Sequence, residues 1–407
     1  MEGITKELNI HLPSQVEYII EKLSEHGFEA YAVGGCVRDT MLHREPEDWD
    51  ITTSAYPNQV KQIFRRTIDT GIVHGTVTVM LGGCGYEVTT YRIDGEYEDG
   101  RHPKSVEFTL KLEEDLKRRD FTINAMAYHP KQGLVDLFDG IGDLKCGNIR
   151  CVGEARDRFT EDALRMMRAV RFAAQLGFAI EAQTQEAIRA LAPGLCKVSK
   201  ERIQAELTKL LLSPNPQTVE KLFSLGLVKQ VLPELARGFD AAEGGRMLER
   251  LRETEADSIL RYTVFLSVLE ASQENRRVRT EKLLRDLKFD NHTIDFVSRL
   301  SEHQYDTLST DKGMLRKQIV EMGEDIFPYL IKLQKAEEVE RLYKEIKRAG
   351  NCLSIKELAV NGRDLAEAGI KPGKELGGIL KKLLYLVLEK PECNTREKLL
   401  SELENIL

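Results

Sequence analysis

Between about Tyr31 and Asp139 the apolar residues alternate with polar ones or form short runs; after Gly153 they recur every third or fourth position. The first pattern predicts strands: AYAVGG, WDITTS, the pair TVTVML and YEVTTYR around the turn Gly82, Gly83 and Gly85, then SVEFTL and GLVDLFDG. One helix is predicted among them, PNQVKQIFRR, opening at Pro57 beside a cap-like stretch from Ser54 to Asn58. The second pattern predicts amphipathic helices: EDALRMMRAVRFAAQLGF, KERIQAELTKLLL, VEKLFSLGLVKQVL, LRKQIVEMGEDIFPYLIKLQKAEEVERLYKEIKRAG and LGGILKKLLYLVLEK. Short Pro, Gly or Ser breaks separate them. An α+β fold is expected, with a mixed front portion and an all-helical rear. No fixed-period repeat makes the rear a solenoid.

A chain of 407 residues is too long for one ordinary core, and about two to four modules are expected. Composition adds a soluble class, at 42% hydrophobic and 31% charged. There is no uninterrupted apolar run of about 18 residues and no secretory signal pattern at Met1, so a cytoplasmic protein is expected. The seven cysteines are dispersed without a C-x-x-C, which argues for reduced thiols and against a disulfide framework or a zinc site. A net charge of -7 speaks only weakly against a nucleic-acid partner, because phosphate binding depends on local positive charge.

Two like charges, Asp48 and Asp50, stand one residue apart at the mouth of a predicted strand, where they share a face and repel. Divalent cations would relieve that repulsion, and magnesium is usually held by one or two carboxylates plus substrate phosphates. Trp49 between them faces the other way on a strand and is expected to anchor the core. Upstream, VGGCVRD (residues 33–39) can bring bare backbone N–H groups to an anion, with Arg38 adding a charge-assisted contact. A second group, EEDLKRRDFTINAMAY (113–128), sets Arg118, Arg119 and Asp120 before an apolar stretch, with Asn124 one helical turn beyond Asp120. That mixture suits a sugar and a phosphate, and equally an N-capped helix with solvated charges.

In the third group, EDALRMMRAVRF (161–172), Asp162, Arg165, Arg168 and Arg171 recur every three residues on one predicted helix. Glu161 stands four residues before Arg165, placed to pin its guanidinium. An Asp acceptor beside an Arg donor matches the amino group and adjacent ring nitrogen of cytosine or adenine. Uracil and guanine would set a carbonyl against the carboxylate, acceptor against acceptor.

With these segments, together with GTVTV, YEVTTYRIDGEYEDGRHPKSVEF and VGEARDRFTEDALRMMRAVRFAAQLGF, the chain resembles the bacterial class II tRNA nucleotidyltransferases, the CCA-adding enzymes of the DNA-polymerase-β-like superfamily. The likeness runs from about residue 31 to residue 180 and returns in LAVNGRDLAEAGIKPGKELGGIL. It implies a polymerase-β-like nucleotidyltransferase head at 1–150, a helical neck for base recognition at 151–205, a helical body at 206–345 and a tRNA-binding tail at 346–407. Asp48 and Asp50 would be catalytic and hold two Mg2+ ions; Gly35, Arg38 and Arg119 would contact the nucleotide. Asp162 and Arg165 would act as an amino-acid template, Arg168 and Arg171 would supply charge to phosphates, and Glu161, Asp120 and Asn124 would support them. Glu87 is a possible third carboxylate and is left out of the catalytic set, since strand pairing explains it equally simply.

The implied activity is addition of C, C and A to the tRNA 3′ end from CTP and ATP with release of pyrophosphate. The implied partner is tRNA, held by its acceptor and elbow region by a monomer. Lys371, Lys374, Lys381 and Lys382 are candidate backbone contacts, and equally a solvated helix-hairpin turn. Two alternatives stay open: A-addition to tRNA ending in CC, and a non-catalytic RNA-binding descendant. The segment RIDGEYEDGRHPKSV resembles a flexible loop that CC-only relatives shorten, which disfavours CC-only addition. LRYTVFLSVLEAS lacks the His-Asp pair of an appended phosphohydrolase.

Overall fold

The alternating front portion folds around a mixed sheet whose central strands bury side chains on both faces. In the computed structural model, residues 4–5, 10–95, 106–269, 273–371 and 373–406 are described. The strands are β1 (Ile4–Thr5), β2 (Ala30–Val33), β3 (Ile51–Thr53), β4 (Thr67–Gly71), β5 (Thr76–Leu81), β6 (Cys84–Thr90), β7 (Arg92–Asp94), β8 (Val106–Phe108), β9 (Met126–His129), β10 (Gly133–Asp136), β11 (Asn148–Ile149) and β12 (Ala179–Ile180). Eight of them form a sheet in the order β1-β10-β9-β2-β3-β6-β5-β4. Only the β3–β6 pairing within it is parallel, with Ile51 opposite Val88. Central β2 is buried along its whole length, and its Tyr31 and Val33 form a core cluster with Tyr91, Leu116, Ala127 and Val135.

Helices α1 (Ser14–Glu25), α2 (Gly35–Met41), α3 (Pro57–Ile63), α4 (Leu112–Lys117) and α5 (Gly140–Cys146) belong to this portion. The cap of α3 is closed by the Gln59 side chain, which accepts the Tyr56 N–H at 2.7 Å. Helices α6 (Ala155–Glu161), α7 (Leu164–Leu176), α8 (Ala182–Leu191) and α9 (Lys200–Leu211) follow, and α7 packs along α9. The loop-like segment singled out between Arg92 and Val106 is bracketed by the antiparallel pair β7 and β8; its residues 96–105 lie outside the described residues.

Two compact units divide the chain, Met1–Ala256 and Asp257–Leu407. Apart from short 3-10 turns, every described element of the second is an α-helix. Within it, the buried Arg316 reaches the end of the helix Lys374–Glu389, donating from Nε to the Leu388 carbonyl at 2.6 Å and so serving a carbonyl that lacks a helical partner. Lys371, Lys374, Lys381 and Lys382 are exposed there. Among the described residues no helix is long and apolar enough to cross a membrane. All seven cysteines are free thiols.

Three local expectations are corrected. The predicted helix across 161–172 is broken: α6 ends at Glu161, Asp162 is extended (φ -141°, ψ 105°), and α7 begins at Leu164. Asp162 therefore does not share a helical row with the arginines. The segment 113–128 is not one helix either, since α4 stops at Lys117, a single 3-10 turn covers Thr122–Asn124 and β9 starts at Met126. Trp49 is half-buried, outside the strand and outside the buried core, because β3 does not begin until Ile51.

Candidate active site

The corner between β2 and α2 is built on Gly34, whose φ of 82° and ψ of -128° suit a residue without Cβ. Its N–H donates to the Met126 carbonyl at 3.1 Å, while the N–H of Val33 donates to the Asp50 carbonyl at 3.0 Å. These two bonds stitch β9, the corner and residue 50 together. A Cβ at Gly34 would lie 3.0 Å from Nη1 of Arg119. Gly34→Ala is therefore expected to cost about 1–3 kcal/mol and to displace Arg119. A thermal melt checks the cost, and a crystal structure of the variant checks the displacement.

Asp48 and Asp50 lie in the extended approach to β3, both open to solvent. Among the described residues neither carboxylate has a hydrogen bond or close ion pair to the protein. Although Asp50 opens onto a cleft, crowding by protein around its carboxyl pushes its pKa above the ordinary value; Arg119 pulls it back and Asp48 pushes it further up. The parallel β3–β6 register brings in a third acid. With Ile51 opposite Val88, Glu87 stands beside Asp50, and its pKa is raised by burial, then by Asp50 and by Asp48. Unpaired acids whose charges push up the proton affinity of Asp50 and Glu87 form an oxygen-rich site suited to a hard divalent cation. The described side chains form no closed cluster of three or more such ligands, so a cation would draw its remaining ligands from phosphate or water.

A cleft of about 660 Å³ opens beside these acids. Gly35, Arg38, Asp48, Asp50, Arg119, Asp120, Asn124, Arg168 and Arg171 all line it. A chain of contacts runs along its wall. Arg38 donates to Asp39 (3.0 and 2.8 Å) and to Asn124 Oδ1 (2.6 Å), and Asn124 donates to Asp120 Oδ1 at 3.1 Å. Arg168 reaches Asp120 Oδ2 from Nε at 2.8 Å. Arg171 donates to Glu206 and, at 2.6 Å, to Gln175. The guanidiniums of Arg38, Arg168 and Arg171 lie 5.0, 5.3 and 3.9 Å from the Phe172 ring centroid.

Burial alone would push Asp120 upward, yet Arg168, the Asn124 hydrogen bond and Arg165 hold it well below the usual carboxylate range. Asp115, also fully buried, is likewise lowered, as Arg118 and Arg119 outweigh its desolvation. By pairing with Arg119 at 3.2 Å and accepting from Thr52 on β3 at 3.1 Å, Asp115 ties that arginine to the strand that the acids lead into. The buried Cys36 thiol, also in the cleft wall, is pushed up to about 12 by burial and then by Asp50.

Glu161, Asp162 and Arg165 are not among the cleft-lining residues. They form an adjoining group at the α6–α7 break. Arg165 donates from Nη1 to Glu161 at 2.5 Å and to the Arg158 carbonyl at 3.1 Å, and from Nη2 to the Arg118 carbonyl at 3.0 Å. Asp162 accepts from Arg202 Nη2 at 2.7 Å and Nη1 at 3.3 Å, and from the Leu164 N–H at 3.0 Å. Sequence reasoning passed over Asp115, Phe172, Arg202 and Glu206. Arg202 and Glu206 stand four apart on α9, a spacing that marks one face of a helix but names no partner.

Residues 30–150 match the poly(A) polymerase head domain, residues 177–239 the probable RNA and SrmB-binding site of polymerase A, and residues 255–403 the putative tRNA nucleotidyltransferase domain 2. The chain is 41% identical to a CCA-adding enzyme of Ligilactobacillus salivarius, covering 100% of this chain and 98% of that one. It is 40% identical to a CCA-adding enzyme of Limosilactobacillus reuteri, covering 95% of each. The crystal structure of the Bacillus stearothermophilus CCA-adding enzyme in complex with CTP superposes with a TM-score of 0.81 at 34% identity, over 97% of this chain and 98% of that one.

Proposed function

The chain belongs to the CCA-adding enzymes, which carry a poly(A) polymerase head, and on that premise we propose how its residues carry out template-independent addition of C, C and A to tRNA. CTP and ATP are the donors, and the tRNA 3′ end is the acceptor. In each step the 3′-hydroxyl oxygen bonds to the α-phosphorus, the bond from that phosphorus to the bridging oxygen breaks, and pyrophosphate leaves. The observation that carries the reading is the cleft in which unpaired Asp48 and Asp50 face Arg119 and the Gly34–Gly35 corner.

The family's polymerase-β-like head typically works with divalent metal. Two Mg2+ ions, held by Asp48 and Asp50, would lower the pKa of the attacking hydroxyl and neutralise charge on the departing pyrophosphate. Glu87, beside Asp50 on β6, joins them as a third acid at the site. Backbone at Gly35, with Arg38 and Arg119, orients the triphosphate. Arg168 and Arg171 present guanidinium donors along the wall, each held in place by its ion pair with Asp120 or Glu206. Asp162 and Arg165 read the base edge, with Glu161 fixing Arg165.

We further divide the chain into a head at 1–150, a neck at 151–205, a body at 206–345 and a tail at 346–407, with the exposed lysines of the tail meeting tRNA phosphates. A cytoplasmic setting accords with a tRNA substrate. Incubating the protein with tRNAs lacking the last three, two or one nucleotides is expected to extend all three to the full CCA end with CTP and ATP together, the first two only as far as CC with CTP alone, and only the third to CCA with ATP alone. Extension only of the tRNA already ending in CC would replace this reading with A-addition.

A further inference from the structure

Asp162 is the acid that the proposed function assigns to base reading, and Arg202 of α9 already grips it. Oδ1 takes the Leu164 N–H at 3.0 Å and Arg202 Nη1 at 3.3 Å, while Oδ2 takes Arg202 Nη2 at 2.7 Å. A carboxylate oxygen offers about two lone-pair sites. Oδ1 is thus filled and Oδ2 keeps one acceptor position. Without the break between α6 and α7, Asp162 would lie within a helix; extended at φ -141° and ψ 105°, it depends on side-chain partners to fix its direction.

We infer that Arg202 is a specificity-determining positioning residue, which holds Asp162 so that a single fixed acceptor faces the nucleotide base. The inference rests on the assignment of Asp162 to base reading. Rejection of uracil or guanine requires their carbonyl to meet an acceptor that cannot turn aside. A carboxylate free to rotate about its terminal torsion would swing away from the carbonyl or take up a bridging water, and the penalty would vanish. A bidentate guanidinium clamp removes that freedom.

α9 is placed to do this because it packs along α7 and brings Glu206 to Arg171 with the same face. Arg202 thereby aligns the base-reading acid with the wall of the nucleotide cleft. It touches neither the triphosphate residues nor the acids of the metal site.

The test compares kcat/KM for CTP with that for UTP in the full-length protein, for Arg202→Met, Arg202→Lys, Asp162→Ala and the double variant Asp162→Ala/Arg202→Met. The ratio is read within one sample, so a partly unfolded fraction cancels from it. Arg202→Met is expected to lower CTP over UTP discrimination by about 10- to 100-fold, with Arg202→Lys keeping more of it. Adding Arg202→Met to Asp162→Ala is expected to change the ratio no further, which a general structural defect would not reproduce. If Arg202→Met discriminates like the parent while Asp162→Ala does not, the role of Arg202 is refuted. Unchanged discrimination in Asp162→Ala would instead overturn the base-reading assignment itself, and the inference with it.

Discussion

Replacing Asp50 with alanine is expected to reduce nucleotide incorporation by at least about 10³-fold while tRNA affinity stays within about twofold. Among the described residues, Asp48 and Asp50 stand unpaired in the cleft beside the Gly34 corner, and Asp50 is the one next to Glu87 across the β3–β6 register. Metal assistance to nucleophile and leaving group contributes several kcal/mol, and each 1.36 kcal/mol is a factor of about ten in rate. Affinity is spared because polyanion binding rests on many cations, and removing one acid lowers none of them. The fold is expected to be spared too. Asp50 makes no side-chain bond, its backbone carbonyl still accepts from Val33, and the strained mutual repulsion with Asp48 and Glu87 is relieved. A melt unchanged or slightly raised, with incorporation lost and tRNA still retained on a filter, is the signature. Incorporation at the parent rate would remove Asp50 from the reaction and leave an RNA-binding role.

How much of this could be read from the chain alone follows from how local each feature is. The Gly34–Gly35 corner and the Asp48–Asp50 pair were legible because each is decided within a few residues. The strands β2, β3, β5 and β6 were legible because their alternation or apolar runs are strong. β4 was not, since Thr67–Gly71 carries one large apolar residue, Ile68, and it is half exposed. β9 was hidden because MAYH follows the charged helix α4 and reads as its continuation; burial on both faces overrides that pattern.

The break at Asp162 illustrates the same limit at the site. Residues 161–172 keep a helical period in sequence, yet the bidentate bond from Arg202, forty residues away, and the Leu164 N–H give Asp162 better partners outside a helix. Glu87 was legible as an acid on a strand but not as a neighbour of Asp50, because that depends on which strand pairs with β3 and in which register.

The contact between Arg171 and Glu206 yields the largest expected stability effect. Both are buried, at 6% and 7% exposure, and the guanidinium lies 3.9 Å from the Phe172 ring centroid. Burial lowers the pKa of Arg171, and Glu206 is the main influence pulling it back. Glu206→Gln keeps the shape but removes the counter-charge, leaving Arg171 with only neutral amide oxygens as hydrogen-bond acceptors, at position 206 and at Gln175. Removing one partner of a buried pair costs about 3–5 kcal/mol, so the melting midpoint is expected to fall by roughly 10 °C. Replacing both, as Arg171→Met with Glu206→Leu, takes away both desolvation costs and is expected to recover most of that loss. Activity separates the two roles of the pair. The double variant regains its fold but lacks a guanidinium in the cleft wall, so incorporation is expected to remain depressed. A Glu206→Gln protein that melts with the parent would show that the two charges are compensated elsewhere. Full activity in the refolded double variant would show that Arg171 serves the helix packing of α7 on α9 and not the nucleotide.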